Sequence, residues 1–211
     1  MGRRAVNLTL DNLDDLAPNC RSCVFWELDP VAAERSCRTG TASLEKEVWV
    51  SDTLLQWGSC GQLVYVDGTV AGHVLYAPAA YVPRSVAFPT SPVSPDAVLL
   101  MTARVRDEYR GGGLGRMLLQ SVVRDLTRRG VRAVEAFGRT AAAPAPDDGQ
   151  PRGSCLLPVE YLLAVGFKTV RPHPHVPRLR LETKSAVSWR EEAESALERL
   201  LSTIQTPAVA R

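Results

Sequence analysis

The sequence predicts an α+β protein, and three local patterns carry that prediction. Residues 62–66 and 69–76 flank Asp67-Gly68, a dipeptide favoured in two-residue β-hairpin turns because both positions take positive φ. Residues 98–105 are short and almost wholly apolar, which suits a strand buried on both faces. After them, the glycines of Arg110-Gly111-Gly112-Gly113-Leu114-Gly115 lead into an amphipathic helix. Leu114, Leu118, Val122 and Leu126 mark its apolar face, Arg116, Gln120, Arg124 and Arg128 fill the other, and Gly130 supplies the stop.

The remaining elements follow in chain order. Residues 5–10 alternate weakly and read as a first strand, running into a helix-start cluster at Thr9 to Asp11. Asp29-Pro30 opens a helix, an N-cap residue followed by proline at the first helical position. After Gly40 a second helical pattern runs from Ser43 to about Trp57 through Leu44 and Val48. Residues 78–95 contain five prolines and are expected to be neither central strand nor helix. A loop of that length tends to be functional, and Tyr81, Val82, Val86 and Phe88 make it a packed lid. Past the glycine turn and its helix, 131–137 reads as a strand and 139–153 as a mobile connector of Ala, Pro, Asp and Gly. Residues 155–165 read as a short helix ended by Gly166-Phe167, and 168–170 and 178–182 as the last strands. Ser188 and Glu191 form a capping box for a final amphipathic helix over 188–205. That helix packs on its own domain or on a second copy, as in a homodimer.

Composition narrows the function. At 211 residues and 45% hydrophobic content, one domain over 1–211 is the default. With 25 basic and 23 acidic residues interleaved, no basic face argues for nucleic acid. The start is not a secretory signal, and no run approaches the length of a membrane span, so no membrane partner is expected. Five cysteines, an odd number, with nothing pointing to export, suggest a reduced cytoplasmic protein. The pair Cys20-Arg21-Ser22-Cys23 lacks two further ligands at paired spacing, so no metal is expected.

Successive glycines uncover backbone N–H groups, and the helix behind them adds the positive end of its dipole, a cradle for a diphosphate. A Walker motif needs a Lys that this loop lacks, and the dinucleotide fingerprint needs a glycine where Arg116 stands. The residues do match Arg/Gln-x-x-Gly-x-Gly/Ala, at Arg110, Gly113 and Gly115, preceded by Val105-Arg106-Asp107-Glu108-Tyr109. From about Val98 to Gly138 the chain resembles the GNAT superfamily of acyl-CoA N-acyltransferases. That resemblance implies a mixed, mostly antiparallel central sheet flanked by helices, with a splay between the fourth and fifth strands. It also implies that Ala103, Arg104 and Val105 pair with the pantetheine arm. The amides of Gly111, Gly112, Gly113, Leu114, Gly115 and Arg116 would then cradle the pyrophosphate of acetyl-CoA, with Arg110 and Arg116 adding charge.

Acyl transfer to an amine needs a proton acceptor, since an alkylammonium has a pKa near about 10, and a proton donor for the leaving thiolate. Glu135 is the acid inside the otherwise apolar run Ala133-Val134-Glu135-Ala136-Phe137 and is the candidate base, with an ion pair at the sheet end as the alternative. The family resemblance places a glutamate two positions on, where Phe137 stands, on the same strand face. Glu27 is the second base candidate. The family's tyrosine acid aligns with Leu162, leaving Tyr161, about 100 degrees away around a helix, as the candidate acid or a core aromatic. Trp26 and Glu27 are assigned to the acceptor pocket, and Cys155 to packing or to the thioester's surroundings. The reading is an N-acetyltransferase using direct attack in a ternary complex. The alternative is a catalytically weak CoA-binding regulatory or interaction module.

Overall fold

The computed structural model describes residues 2–144 and 155–184. Its strands are β1 (Arg3–Asn7), β2 (Gly61–Val66), β3 (Thr69–Pro78), β4 (Ala97–Val105), β5 (Ala133–Arg139), β6 (Leu157–Pro158), β7 (Lys168–Arg171) and β8 (Arg178–Glu182). Its α-helices are α1 (Pro18–Arg21), α2 (Pro30–Thr39), α3 (Ala42–Gln56), α4 (Leu114–Arg128) and α5 (Val159–Ala164). The strands form one mixed sheet in the order β1-β2-β3-β4-β5-β8-β7, with β6 attached to β5. Every pairing is antiparallel except β4 with β5 and β5 with β6.

Local chemistry sets the turns. Asp67 and Gly68 take φ of 48° and 85°, the two positive values that a tight hairpin between β2 and β3 requires. Asp29 caps α2 by accepting from the Val31 and Ala32 amides at 2.9 and 3.0 Å. The Val131 amide closes the end of α4 onto Leu126 O at 2.9 Å, around Gly130 in the left-handed conformation.

Alternation along the strands sends successive side chains to opposite faces and builds two cores. On one face Leu63, Leu75, Leu99 and Phe137 pack with Trp26, Trp49 and Val50 from the early helical region. On the other, Val64, Val74, Tyr76, Val98 and Val134 receive Leu118, Val122 and Leu126 of α4. Leu118, Val122 and Leu126 are fully buried, each contributing about 2 kcal/mol of transfer free energy.

The feature that matters for function is where the sheet opens. Strands β4 and β5 pair only at Ala97↔Ala133, Val98↔Val134 and Leu99↔Glu135, although β4 continues to Val105 and β5 to Arg139. A bulge at Met101, between the pairs Tyr76↔Leu100 and Leu75↔Thr102, bends β4 at the point where it leaves β5. The splay between the fourth and fifth strands is thereby present, as the resemblance implied.

Several boundaries differ from the sequence reading. The first strand is Arg3–Asn7, not 5–10, because Asn12 turns the chain after Asn7, its side chain donating to Asn7 O and accepting from the Thr9 amide. The segment expected as a helix from Cys155 is helical only over Val159–Ala164, since Leu157 and Pro158 extend beside Gly138 and Arg139. Residues 79–87 form two short 3-10 turns, Ala79–Tyr81 and Pro83–Ala87, which tolerate proline at their first position. In that stretch Val82 is fully buried while Val86 is exposed. The connector is ordered at its start, where the Thr140 amide bonds to His175 O. Its residues 145–153, and the helix expected over 188–205, lie outside the described residues.

Candidate active site

On the unpaired stretch of β4, backbone polarity follows from one hydrogen bond. The Arg106 amide donates to Ala71 O on the β3 side at 2.8 Å, and peptide groups alternate sides along a strand. Ala103 and Val105 therefore turn their N–H and C=O groups into the splay, while Arg104 faces its β3 partner, His73. The strand edge offered to a ligand is that of Ala103 and Val105, with the Arg104 side chain standing between them.

Past β4 the chain makes a 3-10 turn, Asp107–Tyr109, and then the glycine turn. Gly111 and Gly113 have φ of 76° and 77°, and a Cβ built on either meets nothing within 4 Å. Both glycines are thus required by the backbone, and the turn is open toward solvent. The first α4 amide with an acceptor in the turn is that of Met117, bonded to Gly113 O at 3.1 Å, so those of Leu114, Gly115 and Arg116 have no intrahelical acceptor. Arg3, on β1, donates to Gly112 O at 2.7 Å, drawing that carbonyl away from the amide cluster. Nothing in the sequence pointed to Arg3, which acts across 109 positions.

A groove of about 950 Å³ runs along the strand edge to Arg110 and Gly115 at the ends of the glycine turn; Gly111, Gly112, Gly113, Leu114 and Arg116 are not among its lining residues. Ala103, Arg104, Val105, Arg110, Gly115 and Tyr161 all line it. Arg110 is exposed and paired with Asp107 at 2.8 Å. The Tyr161 hydroxyl donates to Gly115 O at 3.1 Å, and burial raises its pKa, partly offset by the Arg116 charge. Its neighbour Leu162, at the position aligned with the family's acid, is fully buried in the core under α4. Tyr161 is therefore placed beside the glycine turn, with its proton already engaged by a carbonyl.

Glu135 occupies a different setting from the groove wall expected for a base. It is fully buried at the last pairing of β5 with β4 and takes hydrogen bonds from the Arg178 guanidinium, the Arg180 guanidinium at 3.3 Å and the Ser94 amide at 3.1 Å. Arg180 is also held by both oxygens of Asp96 at 2.9 Å. The ion-pair alternative to catalysis is thus what the geometry presents: the carboxylate binds β8 and the 94–96 turn onto β5. Phe137, two residues on, stacks on Phe88 at 4.4 Å between centroids, and Trp26 lies over Phe88 at 5.3 Å. An aromatic wall fills the place where the family resemblance would put an acid.

Trp26 and Glu27 line a second, small cavity with Cys20, Cys23, Lys46, Thr102, Arg104 and Cys155. Arg104 lines both spaces. Glu27 is buried and takes hydrogen bonds from the Lys46 ammonium and the Trp26 amide. Lys46 sits in the buried stripe of α3, with Ala42, Trp49, Val50 and Thr53, and a lysine interrupting that stripe was the sequence's signal for a buried partner. His73 is 4% exposed with its Nε2 unpartnered, and burial together with Lys46 and Arg104 pushes its pKa down to about 3. Burial raises the Cys20 thiol against the pull of the hydrogen-bonded Arg104 guanidinium. Among the described residues, no group of three or more His, Cys, Asp or Glu is placed to hold a metal ion, and no helix is long and apolar enough to cross a membrane.

Solved structures share this architecture. The PaiA N-acetyltransferase of Thermoplasma acidophilum in complex with coenzyme A aligns with a TM-score of 0.53 at 12% identity, covering 86% of this chain and 99% of that one. An N-acetyltransferase of Staphylococcus aureus Mu50 gives 0.53 at 12%, covering 87% and 99%. The loading GNATL domain of CurA from Lyngbya majuscula gives 0.53 at 13%, covering 88% and 100%. At such identities the likeness shows the fold. No curated protein sequence matches this chain significantly. The model of the acetyltransferase (GNAT) family matches residues 15–145, more than half of the chain, spanning the splayed strand, the glycine turn and the lining of the small cavity apart from Cys155. The chain belongs to the GNAT acetyltransferase family.

Proposed function

We propose that the protein is an N-acetyltransferase that passes the acetyl group of acetyl-CoA to a primary amine by direct attack in a ternary complex. The family and the fold support acyl transfer from CoA. The observation that carries the finer reading is one groove that runs from an unpaired strand edge to Arg110 and Gly115, the residues on either side of the open, twice left-handed stretch Gly111–Gly113 at a helix N-terminus. These are the two receptors that acetyl-CoA's chemistry calls for: peptide-like pairing for its amides and uncovered N–H groups for its diphosphate. The Ala103 and Val105 backbone would hold the pantetheine. The amides from Gly111 to Arg116 would hold the diphosphate, with the Arg110 and Arg116 charges nearby.

The acceptor amine would then approach through the cavity lined by Trp26 and Glu27. Glu27, ion-paired with Lys46, offers that end of the groove a hydrogen-bond acceptor for the amine. A second reading rests on a specific observation: the Glu135 carboxylate and the Tyr161 hydroxyl are both engaged within the fold, as in a CoA-binding module with little turnover. Calorimetry with acetyl-CoA, followed by a thiol-release assay over a panel of primary amines, separates the two. Binding with amine-dependent thiol release supports the transferase; binding without release for any amine supports the module, and failure to bind CoA defeats both.

A further inference from the structure

We propose that Cys23 and Cys155 are a reversible, peroxide-sensitive thiol pair whose oxidation closes the acceptor end of the groove. By sequence, Cys23 belongs with Cys20, three residues away. In the fold the thiol facing it is that of Cys155, with Sγ atoms 3.5 Å apart across a sequence separation of 132. All five cysteines are reduced, and both members of this pair are half-buried, within reach of a small oxidant. The hydrogen bond from Cys155 outweighs burial and brings the Cys23 thiol down to about 7, while Cys155 is pushed up. That direction makes Cys23 the first nucleophile and Cys155 the thiol that resolves it, and the 3.5 Å contact carries the pair whichever sulfur attacks first.

The chemistry balances with hydrogen peroxide as oxidant. The Cys23 thiolate attacks one peroxide oxygen, the O–O bond breaks, and hydroxide leaves and takes up a proton as water, giving Cys23 sulfenic acid. The Cys155 sulfur then attacks that sulfenyl sulfur, its proton and the sulfenic oxygen leave as a second water, and the disulfide remains. Two electrons have passed from the thiols to the peroxide, and a dithiol reductant returns them. Bridging needs the sulfurs to close by about 1.5 Å.

The location gives the bond its effect. Cys23 belongs to the stretch between α1 and α2 that carries Trp26 and Glu27, and Cys155 immediately precedes Leu156, Leu157 and Pro158 of the groove wall. A bond between them fastens the two walls of the small cavity together. This consequence rests on the acceptor reading given above, whereas the bond itself does not.

The test treats the full-length, folded protein with hydrogen peroxide and maps peptides without reduction. We expect one cross-linked peptide joining Cys23 to Cys155 and a mass lower by about 2 Da for the two hydrogens lost. Cys155→Ser should form no bridge and leave a sulfenic acid at Cys23 that dimedone traps. A Cys20–Cys23 bridge, bridges between molecules, or no mass change would overturn the pair. For the consequence, oxidised wild type should lose amine-dependent thiol release by about tenfold or more, regain it with dithiothreitol, and bind CoA within about threefold of the reduced form. An unchanged rate with the bridge in place would overturn the closure. If reduced protein releases no thiol with any amine, the transferase reading fails, and the peptide map still decides the pair.

Discussion

Replacing Gly113 with valine tests the cradle with a magnitude set by the backbone. The residue sits at φ 77° and ψ 5°, so an L side chain, and a β-branched one above all, costs about 2 kcal/mol of stability there. Nothing lies within 4 Å of the added Cβ, so no clash within the fold adds to that strain. The new side chain instead occupies the open space before the turn. If a diphosphate uses two of the neighbouring amides, each charge-assisted hydrogen bond contributes about 1.5–3 kcal/mol, and losing both weakens CoA by about 10²- to 10⁴-fold. Gly40→Val is the control: it has φ 73°, equally open surroundings and a place at the far end of α2. Titration calorimetry should show both variants similarly destabilised and only Gly113→Val deficient in CoA. Acetylated pantetheine without the diphosphate should bind wild type and Gly113→Val alike. Undiminished CoA affinity in Gly113→Val would refute the assignment of the turn.

Glu135→Gln leaves Arg178 and Arg180 against a neutral amide in a buried setting, and should cost about 3 kcal/mol, lowering the melting temperature by about 10 °C. Differential scanning calorimetry checks this, and a variant as stable as wild type would show that the ion pairs are not structural. Any remaining activity should keep the wild-type pH–rate profile; loss of its acidic limb, where the rate rises as a base gives up its proton, would restore Glu135 as a base. His73 titrates near 6.5 when unfolded but is held down to about 3 in the fold. Between those values the unfolded chain binds the extra proton, so stability is full above about 6.5 and falls toward pH 3, by about 1.4 kcal/mol per pH unit from this group. Urea midpoints between pH 7 and 5 should fall less steeply in His73→Phe than in wild type, and equal slopes would contradict the buried neutral imidazole.

The fold was legible where chemistry is local. Asp67-Gly68, Asp29-Pro30 and Gly130 each specify a turn or cap through their own φ preferences, and the structure carries each at the expected place. Boundaries set by pairing with a distant strand were less so: Leu157 and Pro158 read as the start of a helix until Gly138 and Arg139 claimed them as strand neighbours. The glycine turn could be read from the sequence because its residues are consecutive, whereas the splayed strand was legible only as what the family resemblance implies. The acceptor end could not. It is assembled from α1, the stretch between α1 and α2, α3, β4 and the chain before β6; the Cys23–Cys155 contact leaves no periodic trace, and Lys46 in the buried stripe of α3 signals a partner without saying that it is Glu27. Glu135 shows the same limit: a lone acid in an apolar strand signals a partner, and only the fold says whether that partner is a substrate or two arginines.

An unsatisfied strand margin on a protein's outside invites any other extended chain, which is why such margins promote aggregation. Here the margin lies in the sheet's middle, in a wedge that narrows to closure at Leu99 and Glu135. On the proposed reading the two amides of the pantetheine arm would cover that margin in place of a polypeptide strand. In that case the parted strands would turn a hazard of β-structure into a seat for a ligand.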